Sequence, residues 1–379
     1  MAIWRGARFG HLSIKLEDTM GSDFYLRTDN REFLFPVFKF LSSSHADKLL
    51  QQGNVHIPQL LDFQNADKYD GKILDQDEGL VTIRNHYTSY KGLAKNANGL
   101  LPMHFRPYEM VETFNQTIDL PFQSSAYAYC ITQHFFSDSL QWAISERNKD
   151  KCVLITDFPR FVNLVNQGVK PSVRLLDVRP CVYTGRLIDE TDPSADSRSN
   201  FLLANQEWIH FIKPPDYESQ RELRAIWIDS DEKGAKAINF DIPELPSICL
   251  PVTFPTIKEA ITKQGVAPES LSYGARLNCK GATKQPNYKI RSPAEVCSPV
   301  LHKKPGDEWT FGFWYGRLKP RDAKIFADLD SGEAAGGVTG IKLTDIGAIF
   351  CNVSLATVES IEFYCEEKAA DDVKHDVNN

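Results

Sequence analysis

The chain has 379 residues, of which 42% are hydrophobic and 25% charged, a balance typical of a folded globular protein. Because a single hydrophobic core stops growing at roughly 250–300 residues, this length favours two domains, or one domain with a large appendage. The formal net charge of −7 at pH 7, without any basic stripe, argues against a protein that binds duplex DNA.

The first clear pattern along the chain is a strand, a short helix and a second strand. The aromatic run FLFPVFKFL at 33–41 predicts a strand, and one of the serines at 42–44 can cap the helix that HADKLLQQG describes. Gly53 ends that helix in the left-handed conformation, which glycine adopts without steric cost. NVHIPQL at 54–60 predicts the next strand.

The middle of the chain alternates short strands with short helices. It begins with an acidic loop at 62–79, and PRFVNLVNQG predicts a helix that ends at Gly168. A soft loop covers Asp189–Asn200, and the segment after it predicts a helix and a proline-marked corner. The predicted strands are Leu80–Tyr87, Ser125–Phe135, Lys151–Phe158, two within SVRLLDVRPCVYTG and one ending near Ile228, and Asp138–Asn148 predicts a helix that carries Trp142.

Four prolines between residues 243 and 255 mark a boundary, and WTFGFWYGRL, TGIKLTDIGAIFCNV and VESIEFYCE predict strands beyond it. Because the helices are short and do not alternate regularly with the strands, we expect an α+β fold. It would have a split, mostly antiparallel sheet with short flanking helices, and a smaller β-rich C-terminal portion. The predicted organisation is an N-terminal extension (1–30), an α+β unit (31–242), a β-rich C-terminal domain (256–367) and a frayed tail (368–379).

The eight cysteines are widely spaced and include no CxxC pair, so we expect neither a zinc site nor a redox dithiol. Several lie in apolar, strand-like runs, which favours buried free thiols and a reducing compartment, the cytoplasm. No stretch reaches the roughly 18 apolar residues of a membrane span, so we expect no membrane association. The phosphate-loop, GxGxxG, HExxH and GxSxG signatures are also absent, which argues against the enzyme classes that carry them.

The order of elements over residues 33–228 resembles a poorly characterised family of bacterial abortive-infection proteins, the AbiGi-like proteins. The resemblance implies a toxin or effector in anti-phage defence. It rests on an aromatic–lysine strand, a helix closed by glycine, an acidic loop, a tryptophan helix and a late charged strand: Phe38–Lys39, Gly53, Asp77–Glu78–Gly79, Trp142 and Glu222–Arg224.

The layout is similar, more distantly, to the ADP-ribosyltransferase superfamily, whose late strand carries a glutamate in a Q/E-x-E pattern. Gln220-Arg221-Glu222 fits that pattern. The similarity implies that Glu222 is catalytic, because a fixed carboxylate stabilises the oxocarbenium-like charge formed when the nicotinamide–ribose bond of NAD breaks. A protein, a nucleic acid or water would accept the ribose. It also implies that NAD is held by Lys39, Ser42, Ser44, Tyr129 and Gln220.

This interpretation requires the cation of an early strand, Lys39, and the acid of a late strand, Glu222, to face the same cleft. More ordinary roles compete with it: Glu222 can form an ion pair with a neighbouring arginine, Ser42 and Ser44 can cap a helix, and Tyr129 can be a packed aromatic.

Two other functions are open. One is a non-enzymatic module that senses a nucleotide or a protein, with the aromatic C-terminal strands around Trp309 and Phe311 as the partner surface. The other is a metal-dependent nuclease built on the acidic residues at 75–78, against which the net negative charge counts.

Overall fold

The fold is described here from a computed structural model. The described residues are 24–27, 32–64, 77–90, 93–94, 115–132, 151–189, 206–230, 237–253, 271–290, 297–304, 306–315, 338–343 and 346–367. The predicted helix Asp138–Asn148 with Trp142, the acidic residue Asp75 and the tail 368–379 lie outside these residues.

Two α-helices occur among the described residues, and both follow the predicted pattern. Helix α1 spans Ser43–Gln52, with Ala46 and Leu49 buried, and helix α2 spans Phe158–Gly168. Gly53 follows α1 with φ 68°, and its N–H donates to the Leu49 carbonyl over 3.0 Å. A β-carbon on Gly53 would lie 1.8 Å from the Ile242 carbonyl oxygen, so this sharp turn requires glycine.

Short 3-10 helices connect several strands, and they cover Leu60–Gln64, Gln206–Phe211, Pro215–Gln220, Leu245–Ile248 and Leu355–Thr357. The helix predicted before the proline corner is therefore a single 3-10 segment within the described residues. Pro214 and Pro215 each lack a backbone N–H and cannot continue an α-helix, so only short 3-10 turns lie on either side of this corner.

Strands dominate the described residues. The first strands are β1 (Tyr25–Arg27), β2 (Glu32–Leu34), β3 (Val37–Leu41), β4 (Asn54–Ile57), β5 (Leu80–Tyr90), β6 (Leu93–Ala94), β7 (Asn115–Gln123), β8 (Tyr127–Thr132), β9 (Lys151–Ile155), β10 (Val173–Pro180), β11 (Val182–Tyr183) and β12 (Leu187–Asp189). The others are β13 (Ile212–Lys213), β14 (Glu222–Asp229), β15 (Ile238–Asp241), β16 (Cys249–Thr253), β17 (Leu271–Cys279), β18 (Asn287–Ile290), β19 (Cys297–Lys303), β20 (Thr310–Tyr315), β21 (Val338–Leu343), β22 (Ile346–Ser354) and β23 (Val358–Glu367).

The chain divides into two compact units. Unit 1 comprises residues 1–37, 154–163 and 248–379, and unit 2 comprises residues 38–153 and 164–247. The predicted α+β segment 31–242 is thus interrupted, since its residues 31–37 and 154–163 belong to unit 1. Two contacts within unit 1 explain the assignment: the Thr156 N–H donates to the Ile248 carbonyl over 2.8 Å, and the ring centroids of Phe24 and Phe158 lie 5.3 Å apart.

Unit 1 is rich in β-structure. One sheet has the strand order β1-β2-β19-β20-β22-β21, and its described pairs are antiparallel. A second set of strands has the order β16-β23-β17-β18, in which β16 runs parallel to β23 and the other pairs are antiparallel. Val300, Leu301 and Phe311 are fully buried in this unit. Val300 and Leu301 are consecutive and therefore point to opposite faces of the sheet, so both faces are covered at this point.

Unit 2 contains the strand order β10-β14-β8-β3, with antiparallel pairs throughout. Smaller sets in the same unit pair β12 and β7 with β5, β4 with β15, and β11 with β13. The α+β class and the mostly antiparallel pairing are those that the sequence predicts. Among the described residues, no helix is long and apolar enough to cross a membrane.

Candidate functional site

Strand β14 lies between β8 and β10 in unit 2, and the register assigns its side chains to two faces. Glu222 is opposite Thr132 and Arg224 is opposite Cys130, whereas Ala225 is opposite Tyr129. Because successive side chains of a strand point to opposite faces, Glu222 and Arg224 share one face, which we call the acidic face. Core residues on that side of the sheet include Ala128 and Ile226, packed with Leu60, Ala126 and Phe211.

The Glu222 carboxylate is buried, with 8% of the residue exposed, and it is held by two cations. Lys213 Nζ donates to Oε2 over 2.6 Å, and Arg224 Nε donates to Oε1 over 2.5 Å. Burial by itself would raise the pKa of Glu222, but the charges and hydrogen bonds of Arg224 and Lys213 hold that pKa well below its usual range. Glu222 is therefore a permanently ionised, fixed carboxylate, poorly suited to carry a proton.

Arg224 extends this arrangement to a second carboxylate. Its Nη1 lies 2.9 Å from Glu78 Oε1 and also donates to the His210 carbonyl over 2.9 Å. Arg186 Nη2 approaches Glu78 Oε2 at 3.9 Å from the edge, where 14% of its side chain is exposed. We refer to Glu78, Arg186, Lys213, Glu222 and Arg224 as the charge network. The sequence around Glu78 suggests a solvated acidic turn. Only 2% of Glu78 is exposed, however, so this carboxylate is buried.

A serine and a histidine adjoin the charge network. Ser124 Oγ accepts the Ala126 N–H over 3.2 Å and forms a hydrogen bond of 2.7 Å with His210 Nδ1. Burial, and then the positive charge of Arg224, lower the pKa of His210 to about 4. The imidazole is therefore neutral at physiological pH.

Gln220 is the predicted ligand-binding residue that the structure brings to Glu222. It is 5% exposed, and its Oε1 accepts a hydrogen bond from the same Lys213 ammonium that binds Glu222. The glutamine is the last residue of the 3-10 helix Pro215–Gln220, and the next residue, Arg221, adopts the left-handed conformation with φ 44°. This turn places two side chains that are two residues apart around one cation.

Lys39 and Tyr129 lie on the other face of the sheet. Lys39 Nζ lies 4.2 Å from the centroid of the Tyr129 ring and donates to the Cys130 carbonyl over 2.5 Å. Burial lowers the pKa of Lys39, which the charges of Cys130 and Glu222 partly offset. Because Tyr129 is opposite Ala225, it points away from the face that carries Glu222. The expectation that Lys39 and Glu222 face the same cleft is therefore wrong.

Ser42 and Ser44 lie at the start of α1. Ser42 occupies the N-cap position, but its hydroxyl makes no capping bond to the helix backbone. Instead, Ser42 Oγ lies 2.8 Å from His45 Nδ1 and 3.4 Å from Ser44 Oγ. Both serines are thus engaged at the surface end of the helix, and no described contact joins them to Gln220 or Glu222.

The aromatic C-terminal strands of unit 1 offer little free surface where they are described. Phe311 is fully buried, and Trp309 is half-buried with Lys303 Nζ 4.7 Å from the centroid of its ring. The nuclease hypothesis uses the acidic residues at 75–78. Of these, Asp77 is exposed, whereas the Glu78 carboxylate forms an ion pair with Arg224. Within the described parts of the chain, no group of three or more His, Cys, Asp or Glu residues fits a metal ion.

Sequence reasoning missed Lys213, His210 and Ser124. Lys213 directly precedes the Pro214-Pro215 corner, which was a usable signal, since a polar residue beside a rigid turn can be held in one orientation. Ser124 and His210 are 86 residues apart, and neither lies in a recognisable motif. No protein-family model, curated protein or solved structure matches the chain.

Proposed function

We propose that the chain binds a nucleotide of the NAD class at the edge of the charge network. The observation that carries this proposal is a group of three cations, Arg186, Lys213 and Arg224, gathered around two carboxylates, Glu78 and Glu222. Guanidinium groups at the edge of such a group form strong, charge-assisted hydrogen bonds with phosphate oxygens. A phosphate group would approach the exposed part of the Arg186 side chain.

Two tyrosines supply the aromatic surface that a nucleotide needs. The Tyr183 hydroxyl accepts the Glu222 N–H over 2.7 Å, and the Tyr217 ring lies 5.0 Å from Lys213 Nζ; both residues are half-buried. Their rings can stack on a base or on nicotinamide, while the network cations bind the pyrophosphate. The resemblance to ADP-ribosyltransferases favours NAD among nucleotides, and the AbiGi-like pattern favours a sensor in bacterial anti-phage defence.

The contacts of Glu222 favour a protein that binds NAD over one that cleaves it, because both carboxylate oxygens of Glu222 already accept hydrogen bonds. Its carboxylate receives Lys213 and Arg224, and Cys181 Sγ lies 3.7 Å from Oε1. The cation expected to hold the cofactor, Lys39, lies on the opposite face. Cleavage of NAD remains a second candidate, favoured by one observation: a fixed, ionised Glu222 beside Gln220 is the arrangement that stabilises an oxocarbenium ion without proton transfer.

Isothermal titration of the full chain with NAD, ADP-ribose, AMP and nicotinamide tests the binding proposal. We expect NAD and ADP-ribose to bind more tightly than nicotinamide, because only they carry the pyrophosphate. Arg186→Met should weaken the binding of both by about tenfold, the value of one lost charge-assisted contact of about 1.4 kcal/mol. Arg276→Gln is the matched control, since it removes an exposed guanidinium of unit 1 that is paired with Glu362. Equal affinities of wild type and Arg186→Met would contradict the proposal.

Release of nicotinamide from NAD tests the second candidate separately. Release by the wild type that disappears in a folded Glu222→Gln variant would support cleavage. No release by a wild-type protein that binds NAD would leave a binding module. Because Glu222→Gln removes a buried charge, its fold must first be verified by circular dichroism; Gln220→Ala provides a second, uncharged variant at the same cation.

A further inference from the structure

We propose that Lys39 is a nucleophilic amine that forms an imine with a small aldehyde or ketone. Lys39 lies on β3 between Phe38 and Phe40, which are buried, whereas Lys39 itself is half-buried and part of it reaches the surface. It lies on the face of the sheet opposite to Glu222, so this site is separate from the charge network. The inference goes beyond the proposed nucleotide site and does not rest on it.

The partners of the Lys39 nitrogen match those of a neutral amine. Its Nζ donates to the Cys130 carbonyl over 2.5 Å and lies 4.2 Å from the centroid of the Tyr129 ring. Among the described residues, no carboxylate forms an ion pair with Lys39. An ammonium has three donors and no lone pair, whereas a neutral amine has two N–H donors and one lone pair. The carbonyl and the ring face take two donors, which leaves the lone pair for a reaction.

The position of Lys39 also favours the neutral form of its amine. Burial lowers the pKa of Lys39, and the charges of Cys130 and Glu222 offset this effect only in part. Because only the neutral amine has a lone pair, a lower pKa leaves more of the reactive form at physiological pH. Lysines that are desolvated in this way serve as imine-forming nucleophiles.

Lys213 is the contrasting buried lysine of the same unit. Its ammonium donates to the Gln220 side chain and to Glu222 Oε2. Burial would lower the pKa of Lys213, but the Glu222 carboxylate raises this pKa above its usual value. Lys213 is therefore a fixed ammonium without a lone pair, and the two buried lysines should differ in reactivity.

The proposed reaction releases one water molecule and involves no change of oxidation state. The Nζ lone pair attacks the carbonyl carbon, the electron pair of the C=O bond moves to the oxygen, and a proton passes from nitrogen to oxygen to give a carbinolamine. A solvent proton then converts the hydroxyl to water, which leaves as the C=N bond forms. The resulting cation lies near the face of the Tyr129 ring, which attracts positive charge, and loss of the N–H proton to solvent gives the imine.

Reductive alkylation of the full chain with butanal and sodium cyanoborohydride at pH 7 tests the proposal. Cyanoborohydride reduces the imine to a stable secondary amine, and peptide mass spectrometry locates each butyl group. We expect Lys39 to be labelled at least about tenfold faster than the exposed Lys48 and Lys280, because each unit by which a pKa is lowered raises the neutral fraction about tenfold. Lys213 should be labelled more slowly than the exposed lysines.

The pH dependence of labelling separates a nucleophile from a lysine that is only accessible. The labelling rate of Lys39 should stop rising at a lower pH than the rate of Lys48. Lys39→Arg should remove the fast-labelled site, whereas the matched control Lys48→Arg should retain it. Labelling of wild-type Lys39 no faster than that of Lys48, or pH profiles that coincide, would overturn the proposal, and this comparison does not depend on the folding of any variant.

Discussion

His210 should make the protein sensitive to mild acid, and the size of the effect follows from its surroundings. Its imidazole Nδ1 is hydrogen-bonded to the Ser124 hydroxyl, and burial together with the nearby Arg224 cation lowers its pKa to about 4 from an ordinary value of 6.5. The unfolded chain therefore takes up a proton as the pH falls through 6.5, whereas the folded chain stays unprotonated until about pH 4. Folding stability is unaffected above this window and decreases within it.

The magnitude is bounded by the shift of the pKa. At about 1.36 kcal/mol for each pKa unit, the free energy of unfolding should decrease by at most about 3 kcal/mol between pH 6.5 and pH 4. Glu222 also contributes in acid, but the pKa of this carboxyl lies below its ordinary value, so its contribution to stability is lost only as the pH falls below about 4.5. In the interval from pH 6.5 to 5, the difference between the wild type and a variant without this imidazole therefore reports on His210.

Urea unfolding of wild type and His210→Asn at pH 7.0, 6.0 and 5.0 measures this effect. Asparagine can accept the Ser124 hydroxyl but cannot be protonated, so the variant should lose less stability across this range than the wild type. His45→Gln, at an exposed position of α1, serves as the control and should follow the wild type. If wild type and His210→Asn lost stability in parallel, the neutral, buried state assigned to His210 would be incorrect.

Two further substitutions test the turn at Gly53 and the charge network, in addition to the tests of Arg186 and Glu222 above. Gly53→Ala should lower the free energy of unfolding by more than about 2 kcal/mol, because the added β-carbon would meet the Ile242 carbonyl. The control Gly281→Ala has φ 72° and no atom within 4 Å of the added carbon, so it should lower this free energy by only about 1 kcal/mol. Equal losses for the two variants in thermal unfolding would contradict this account. Arg224→Met should lower the free energy of unfolding in urea by about 3–5 kcal/mol, because Glu78 and Glu222 would remain buried with one fewer cation. The control Arg276→Gln removes a more exposed ion pair and should lower it by less than about 1 kcal/mol. An equally small loss for Arg224→Met would count against the charge network.

Much of the local structure was predictable because neighbouring residues determine it. The glycine-capped end of α1 at Gly53, the helix that ends at Gly168 and the apolar strand YAYCIT all appear where the sequence patterns indicate. Such elements depend on backbone conformation and on periodicity over a few residues. The α+β class follows from them, since short helices between many strands leave few other architectures.

The candidate site was predictable only in part. Gln220 and Glu222 belong together because a two-residue spacing and one turn bring both to Lys213. Lys213 and His210 carried weak signals in the sequence, since their importance comes from Arg224 and Glu222 rather than from any motif around them.

The sequence by itself determined the type and approximate position of elements such as α1, α2 and β8, because turn residues and hydrophobic spacing act locally. Only the tertiary structure decided which face each strand residue occupies. The register of β3, β8 and β14 joins residues 90 or more positions apart, and it places Lys39 and Glu222 on opposite faces of the sheet. A shift of one residue in that register would exchange the two faces, and no pattern within a single strand specifies it.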